Sequence, residues 1–253
     1  MNYAPNGGFY YMPVGAAGAS GFGSAGDEMM QEEAGSAGAD PGVRAKGRRW
    51  RKLAYPAAVV VAILCVLTYM GVFWGNIRTV EPGEFYRSGQ LRGERLVRVL
   101  RDDRIRSVIN LRGRLPRDRA WQGEVAACSE MGVAHVDVSL SASRLPPPRE
   151  LRALLTAYDR LPRPILIHCA GGADRSGLAS TIYENVYRKQ PLNAAETSQL
   201  TWRYGHIAFG SAHPMNDFFT MYRQTGQGLS LRDWVVRKYP ALYIQAGGDP
   251  RKT

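Results

Sequence analysis

The sequence predicts an α/β domain with a small, parallel-rich central sheet flanked by helices and a helical C-terminal part, preceded by a disordered tail and one transmembrane helix. Three observations carry this expectation. The composition changes abruptly twice before residue 80. From residue 85 onward, short apolar runs alternate with amphipathic helical patterns, as in sheets built from strand–helix units. An almost wholly apolar run, P-I-L-I-H over 164–168, then leads directly into a cysteine, two glycines and a helical pattern.

Residues 1–43 are dominated by Gly, Ala and Ser, with an acidic patch at Asp27, Glu28, Glu32 and Glu33. So little branched aliphatic surface cannot offset the entropy of ordering, which predicts a disordered tail. Arg44, Lys46, Arg48, Arg49, Arg51 and Lys52 make 44–52 a basic juxtamembrane segment. Residues 53–74 carry no charge and match the ~20 residues a helix needs to cross a bilayer. Tyr55, Phe73 and Trp74 suit its two interfaces. The run begins too far into the chain, and is too long, for a secretory signal peptide. The basic cluster precedes the span and only Arg78 and Arg87 follow it closely. The positive-inside rule thus places the N-terminus in the cytoplasm and the domain outside it, facing the periplasm of a bacterium.

The formal net charge is +11. Part of it lies in the juxtamembrane cluster, where anionic headgroups explain it. The rest is spread over predicted helices, which argues against nucleic acid as a partner and suits an anionic substrate. Three cysteines give no disulfide framework. Cys65 lies in the span, and Cys128, in a helical stretch, reads as a small buried hydrophobe.

The folded domain is expected over 79–240, with a flexible tail at 241–253. Strands are predicted at 85–87, 107–111, 133–138 and 164–168. Helices are predicted at 93–102, 117–131 and 148–161, the last with Leu151, Leu154, Leu155 and Tyr158 on one face. Helical patterns at 175–189, 193–204, 214–223 and 230–239 fill the C-terminal third. There Trp202, Phe218, Phe219, Tyr222 and Trp234 read as core, and His206 and His213 as core or surface residues.

The chemistry concentrates in P-I-L-I-H-C-A-G-G-A-D-R-S-G-L-A, residues 164–179. A loop that joins a parallel strand to a helix aims backbone N–H groups at one spot, and the helix N-terminus adds partial positive charge. Gly171 and Gly172 let that loop close into an anion-binding nest. Cys169 at the base of such a nest is expected as a thiolate nucleophile. The Arg175 guanidinium can grip two phosphoryl oxygens at once.

This Cys-x5-Arg-Ser signature resembles that of the cysteine-based protein tyrosine and dual-specificity phosphatases. F-Y-R-S-G-Q-L over 85–91, V-I-N-L-R-G over 108–113 and the loop at 139–147 are similar to bacterial dual-specificity phosphatase family proteins. The resemblance covers roughly 84–234 and implies a protein-tyrosine-phosphatase-like fold. It implies a phosphomonoester hydrolase acting on a phosphorylated protein, a lipid-linked phosphate or a small molecule, without metal or cofactor. By the same resemblance Cys169 attacks phosphorus, and Arg175 binds the phosphate with the N–H groups of Ala170, Gly171, Gly172, Ala173 and Asp174. Ser176 hydrogen-bonds the sulfur, and His168 supports the loop. The family places a general-acid aspartate about thirty residues before the cysteine. Asp137 has that separation but falls inside a predicted strand, and the loop after it holds no carboxylate. Asp174 is the other candidate and is preferred. Arg112, at a strand end, reads as a substrate contact or a solvated surface residue. A rhodanese-like sulfurtransferase and a catalytically weak phosphate-binding module are the alternatives.

Overall fold

The computed structural model describes residues 54, 56–66 and 75–253 of the chain. The expected tail, the basic segment and half of the expected span lie outside the described residues. Within the span, 56–66 are helical and exposed, presenting Val59, Val60, Val61, Ile63, Leu64 and Val66. Among the described residues no helix is long and apolar enough to cross a membrane.

The domain is built on five strands: β1 (Arg78–Glu81), β2 (Phe85–Ser88), β3 (Ser107–Asn110), β4 (Ala134–Asp137) and β5 (Ile165–His168). Their order is β1-β2-β5-β3-β4, with β1 antiparallel to β2 and the rest parallel. The crossover helices are α1 (Gly93–Asp102), α2 (Arg119–Glu130) and α3 (Pro148–Arg160). After β5 come α4 (Asp174–Val186), α5 (Leu192–Gln199), α6 (Pro214–Thr225), α7 (Leu231–Arg237) and α8 (Tyr239–Gln245).

Every residue of the central strands β3 and β5 is buried, as expected of parallel strands covered on both faces. The two-residue alternation of a strand then sorts side chains between two cores. Leu166 and Val108 pack with Leu96, Leu100 and Cys128 beneath α1 and α2. Ile165, Ile167 and Ile109 pack on the opposite face with Leu154, Leu178, Phe218 and Trp234. Helix α4 is buried on nearly every side from Ser176 to Glu184, so the segment after β5 is held between the sheet and the C-terminal helices.

The structure corrects several expectations. The helical pattern at 193–204 stops at Gln199, because Thr201 caps a separate turn at Trp202–Tyr204. That break turns Trp202, expected in the core, out to 77% exposure. Phe218, Phe219 and Trp234 are buried as core residues. The flexible tail expected at 241–253 instead contains most of α8 and a final turn, with Tyr243 buried and Arg152 hydrogen-bonded to the Thr253 carbonyl. At the other end, Gly75 and Asn76 are buried, ahead of the expected start at 79. Strand β1 went unread because R-T-V-E is short and half charged.

Candidate active site

The parallel strands all end at one edge of the sheet, where open α/β sheets hold their ligands. β5 lies between β2 and β3, so the loop that follows it, 169–173, sits at the centre of that edge. Cys169 is 3% exposed at the base of the loop, and its sulfur accepts the Gly172 N–H at 3.3 Å.

Gly172 has φ +70, and a Cβ there would lie 2.5 Å from the Gly89 nitrogen and 2.7 Å from the Ser88 carbonyl carbon. Only glycine satisfies both the left-handed backbone and the close approach. The loop's carbonyls are meanwhile held outward by buried donors. Arg87, completely buried, donates from Nη2 to Gly172 O at 2.7 Å and Ala173 O at 2.9 Å, and from Nη1 to the carbonyl and side chain of Gln199. Asn76 Nδ2 faces Gly171 O and Gly172 O at 3.1 Å and Tyr204 O at 2.8 Å. Burial lowers the Arg87 guanidinium to about 10, against the opposing pull of Cys169. It therefore stays cationic at neutral pH behind Cys169.

Arg175 is in the first turn of α4. Its Nη1 reaches Leu140 O at 3.4 Å, whereas its buried Nε has no hydrogen-bond partner. A buried, unpaired guanidinium N–H is costly to keep, and a phosphoryl oxygen is a strong acceptor for it. Ser176 is buried too, but its hydroxyl donates to Ser88 O at 3.3 Å. The expected Ser176 bond to sulfur is not made here, because the hydroxyl's single proton goes to the Ser88 carbonyl.

His168 supports the loop from the opposite face. Strand alternation points it with Leu166 toward α2, where its Nε2 lies 2.9 Å from Glu124 Oε1. His135 Nε2 meets the same oxygen at 2.9 Å, and Gln90 donates to Oε2. Burial raises the Glu124 carboxyl, but the bonds from His135 and His168 outweigh it and bring it to about 2. Gln90 also accepts from Arg112, which pairs with Asp118. Arg112 therefore latches the loops after β2 and β3, rather than standing as a free surface residue. Cys128 is buried, and burial pushes its thiol up to about 12, consistent with an inert core residue.

The two candidate acids differ in their surroundings. Asp137, at the end of β4, accepts from Asn110 Nδ2 at 2.7 Å and from Trp121 Nε1 at 3.0 and 3.2 Å. Its oxygens are tied to neutral donors that brace the sheet edge. Asp174 begins α4, beside Arg175, with 26% of its side chain exposed. Its Oδ1 lies 2.7 Å from Nδ1 of the buried His206. His206 Nε2 lies 2.8 Å from Asn216 Oδ1, and Asn216 is itself held by Glu196. Burial pulls the imidazole down, yet its bonds to Asp174 and Asn216 and the charge of Asp174 leave it raised overall. Read from sequence as core or surface, His206 turns out to be core and partner to the candidate acid. His213 is exposed, against Asp217.

Asn76, Arg87, Gln90, Glu124 and His206 were missed as site residues. Arg87 and Gln90 lie in F-Y-R-S-G-Q-L over 85–91, where sequence alone gives them no role. The others come from segments 37 to 93 residues from Cys169 in sequence, and no local pattern marks them. Among the described residues no group of His, Cys, Asp or Glu side chains is arranged to hold a metal ion.

No family model and no curated protein sequence matches this chain. Solved structures do resemble it. P. aeruginosa TpbA, which has also been solved in complex with pTyr, is 23% identical, with a TM-score of 0.43 over 56% of this chain and 82% of that one. The core catalytic domain of the PP-IP phosphatase SIW14 from S. cerevisiae is 21% identical, with a TM-score of 0.46 over 62% and 94%. A putative phosphatase (DUF442) from Shewanella putrefaciens CN-32 is 15% identical, with a TM-score of 0.48 over 62% and 95%. Likeness at this level assigns neither reaction nor substrate. The chemistry must be read from the loop itself.

Proposed function

We propose that this chain is a phosphomonoester hydrolase that works through a cysteinyl-phosphate intermediate, of the tyrosine/dual-specificity type in mechanism, anchored to a membrane by residues 53–74. One observation carries the reaction: Cys169 Sγ accepts a loop N–H, the loop carbonyls of Gly172 and Ala173 are held by the buried Arg87, and the Nε of Arg175, six residues on, is buried without a hydrogen-bond partner. Donors already aimed at the place where phosphoryl charge spreads need no reorganisation when the reaction occurs.

The Cys169 thiolate attacks phosphorus and the bond to the leaving oxygen breaks. The proton that this oxygen needs comes from the Asp174 carboxyl. Water then attacks the thiophosphate and gives its proton to Asp174, and phosphate and thiolate are released. Arg175 and the loop N–H groups bind the three non-bridging oxygens through both steps. His206 orients Asp174 and shares its proton.

The anchor reading is supported by the uncharged run of 53–74 and by the exposed aliphatic side chains of its described helical part. The flanking cations favour a cytoplasmic N-terminus and an extracytoplasmic domain.

The test is hydrolysis of p-nitrophenyl phosphate by the detergent-solubilised chain, with Cys169→Ser and orthovanadate as controls. Turnover abolished by both supports the mechanism. A folded wild-type chain inactive on phosphomonoesters, or a Cys169→Ser variant that retains turnover, refutes it.

A further inference from the structure

Because β1 runs antiparallel to β2, its start lies at the end where the parallel strands finish, with Arg78 opposite Arg87. The chain therefore enters the domain at the catalytic edge. Gly75 O accepts from Gly89 N at 2.7 Å, and Asn76 bonds the carbonyls of Gly171 and Gly172. The uncharged run ends at Trp74, two residues before Asn76. Two residues span at most about 7 Å, so an anchor ending at Trp74 leaves the phosphate loop at headgroup depth.

Two surface features lie at the same place. The segment 201–213 is joined to it through Tyr204 O on Asn76 and His206 on Asp174. It exposes Trp202 at 77%, Ile207 at 54% and Phe209 at 82%, the residue types that enter a bilayer interface. Beside the loop, a hollow of ≈ 490 Å³ is lined by Gly75, Arg92, Arg95, Ala170 and Gly171, which puts cationic side chains where anionic headgroups would lie.

We propose that the catalytic edge rests on the bilayer surface and that the substrate is the phosphomonoester headgroup of a membrane lipid, entering the loop directly from the interface. The inference rests on the phosphatase and anchor reading above and deepens it.

The experiment reconstitutes the full chain in phosphatidylcholine vesicles containing phosphatidic acid or polyprenyl phosphate. Phosphate release is measured beside p-nitrophenyl phosphate and a phosphotyrosine peptide. Wild type is expected to release phosphate from the vesicle lipid. The double variant Trp202→Ser/Phe209→Ser is expected to lose roughly tenfold or more of that activity, with p-nitrophenyl phosphate turnover within about twofold. A Gly/Ser spacer of about 20 residues between Trp74 and Gly75, ~25 Å across, is expected to do the same. Turnover of p-nitrophenyl phosphate without lipid turnover, or lipid turnover insensitive to both changes, overturns the inference and leaves the phosphatase reading intact. So does a preference for the peptide that neither change alters. Inactivity on every phosphoester would instead bring down the phosphatase reading on which the inference stands.

Discussion

Glu124→Gln tests whether the buried carboxylate beneath His168 organises the catalytic loop. Glu124 is 2% exposed and accepts from His135, His168 and Gln90. Its folded value of about 2 lies below the 4.5 of an unperturbed glutamate. At 1.36 kcal/mol per pH unit, that difference is worth about 3 kcal/mol of folding stability at neutral pH. A carboxyl lowered on folding stabilises above its unfolded value, and the contribution drains away as pH falls from 4.5 toward 2. The glutamine variant cannot titrate, and its amide N–H groups would face the Gln90 donor. Urea unfolding of the full chain in mild detergent, followed by tryptophan fluorescence, should show it less stable by about 3 kcal/mol at pH 7. The gap should narrow below pH 4.5 as the wild type loses the same contribution. Turnover should fall with it, because the neutral amide oxygen left facing His168 is a weaker acceptor than the carboxylate that holds its ring beside Cys169. Equal stability at pH 7 and parallel acid profiles would refute this account of Glu124.

The remaining predictions concern the loop and the acid. Gly172→Ala forces a Cβ to 2.5 Å from Gly89 N at a positive φ, so activity should fall at least about 100-fold; near-normal kcat/KM would show that the loop tolerates another backbone path. Arg87→Met strips Gly172 O, Ala173 O and Gln199 of buried donors, and thermal unfolding should register a loss of about 3 kcal/mol or more. Asp174→Asn should lower kcat by roughly 10²- to 10⁴-fold on phenyl phosphate, and less on p-nitrophenyl phosphate, whose leaving group needs no proton. Asp137→Asn should act mainly on stability, through Trp121 and Asn110; the reverse pattern would move the acid to Asp137. His206→Gln should reduce kcat with KM unchanged and shift the alkaline limb of the pH profile downward. The imidazole is raised by Asp174, so in wild type the proton, and the stability tied to it, persist until pH climbs past the ordinary histidine range of about 6.5. An unmoved alkaline limb would reduce His206 to packing.

By itself the sequence determined the α/β class, most of the elements, and the single loop that carries the candidate nucleophile, cradle and charge clamp. These are local: a buried strand, a glycine pair and a helix start are written in consecutive residues, so Cys169, Gly172 and Arg175 are legible as one unit. The central helix α4 begins at Asp174, one residue from its predicted start, because the loop that opens it has so few alternatives. Trp202 was misread because periodicity reports spacing and not where a helix breaks, and Thr201 breaks this one. Only the tertiary structure decided what surrounds the loop. Glu124 reaches His168 because strand parity turns alternate residues of β5 toward α2. His206 meets Asp174, and Asn76 the loop carbonyls, across gaps of 32 and 95 residues or more. Whether Asp174 or Asp137 has a partner suited to handling a proton was likewise a question of which side chains the fold brings within 3 Å. No spacing rule encodes that, because the groups share a site only after the sheet has gathered its strand ends at one edge.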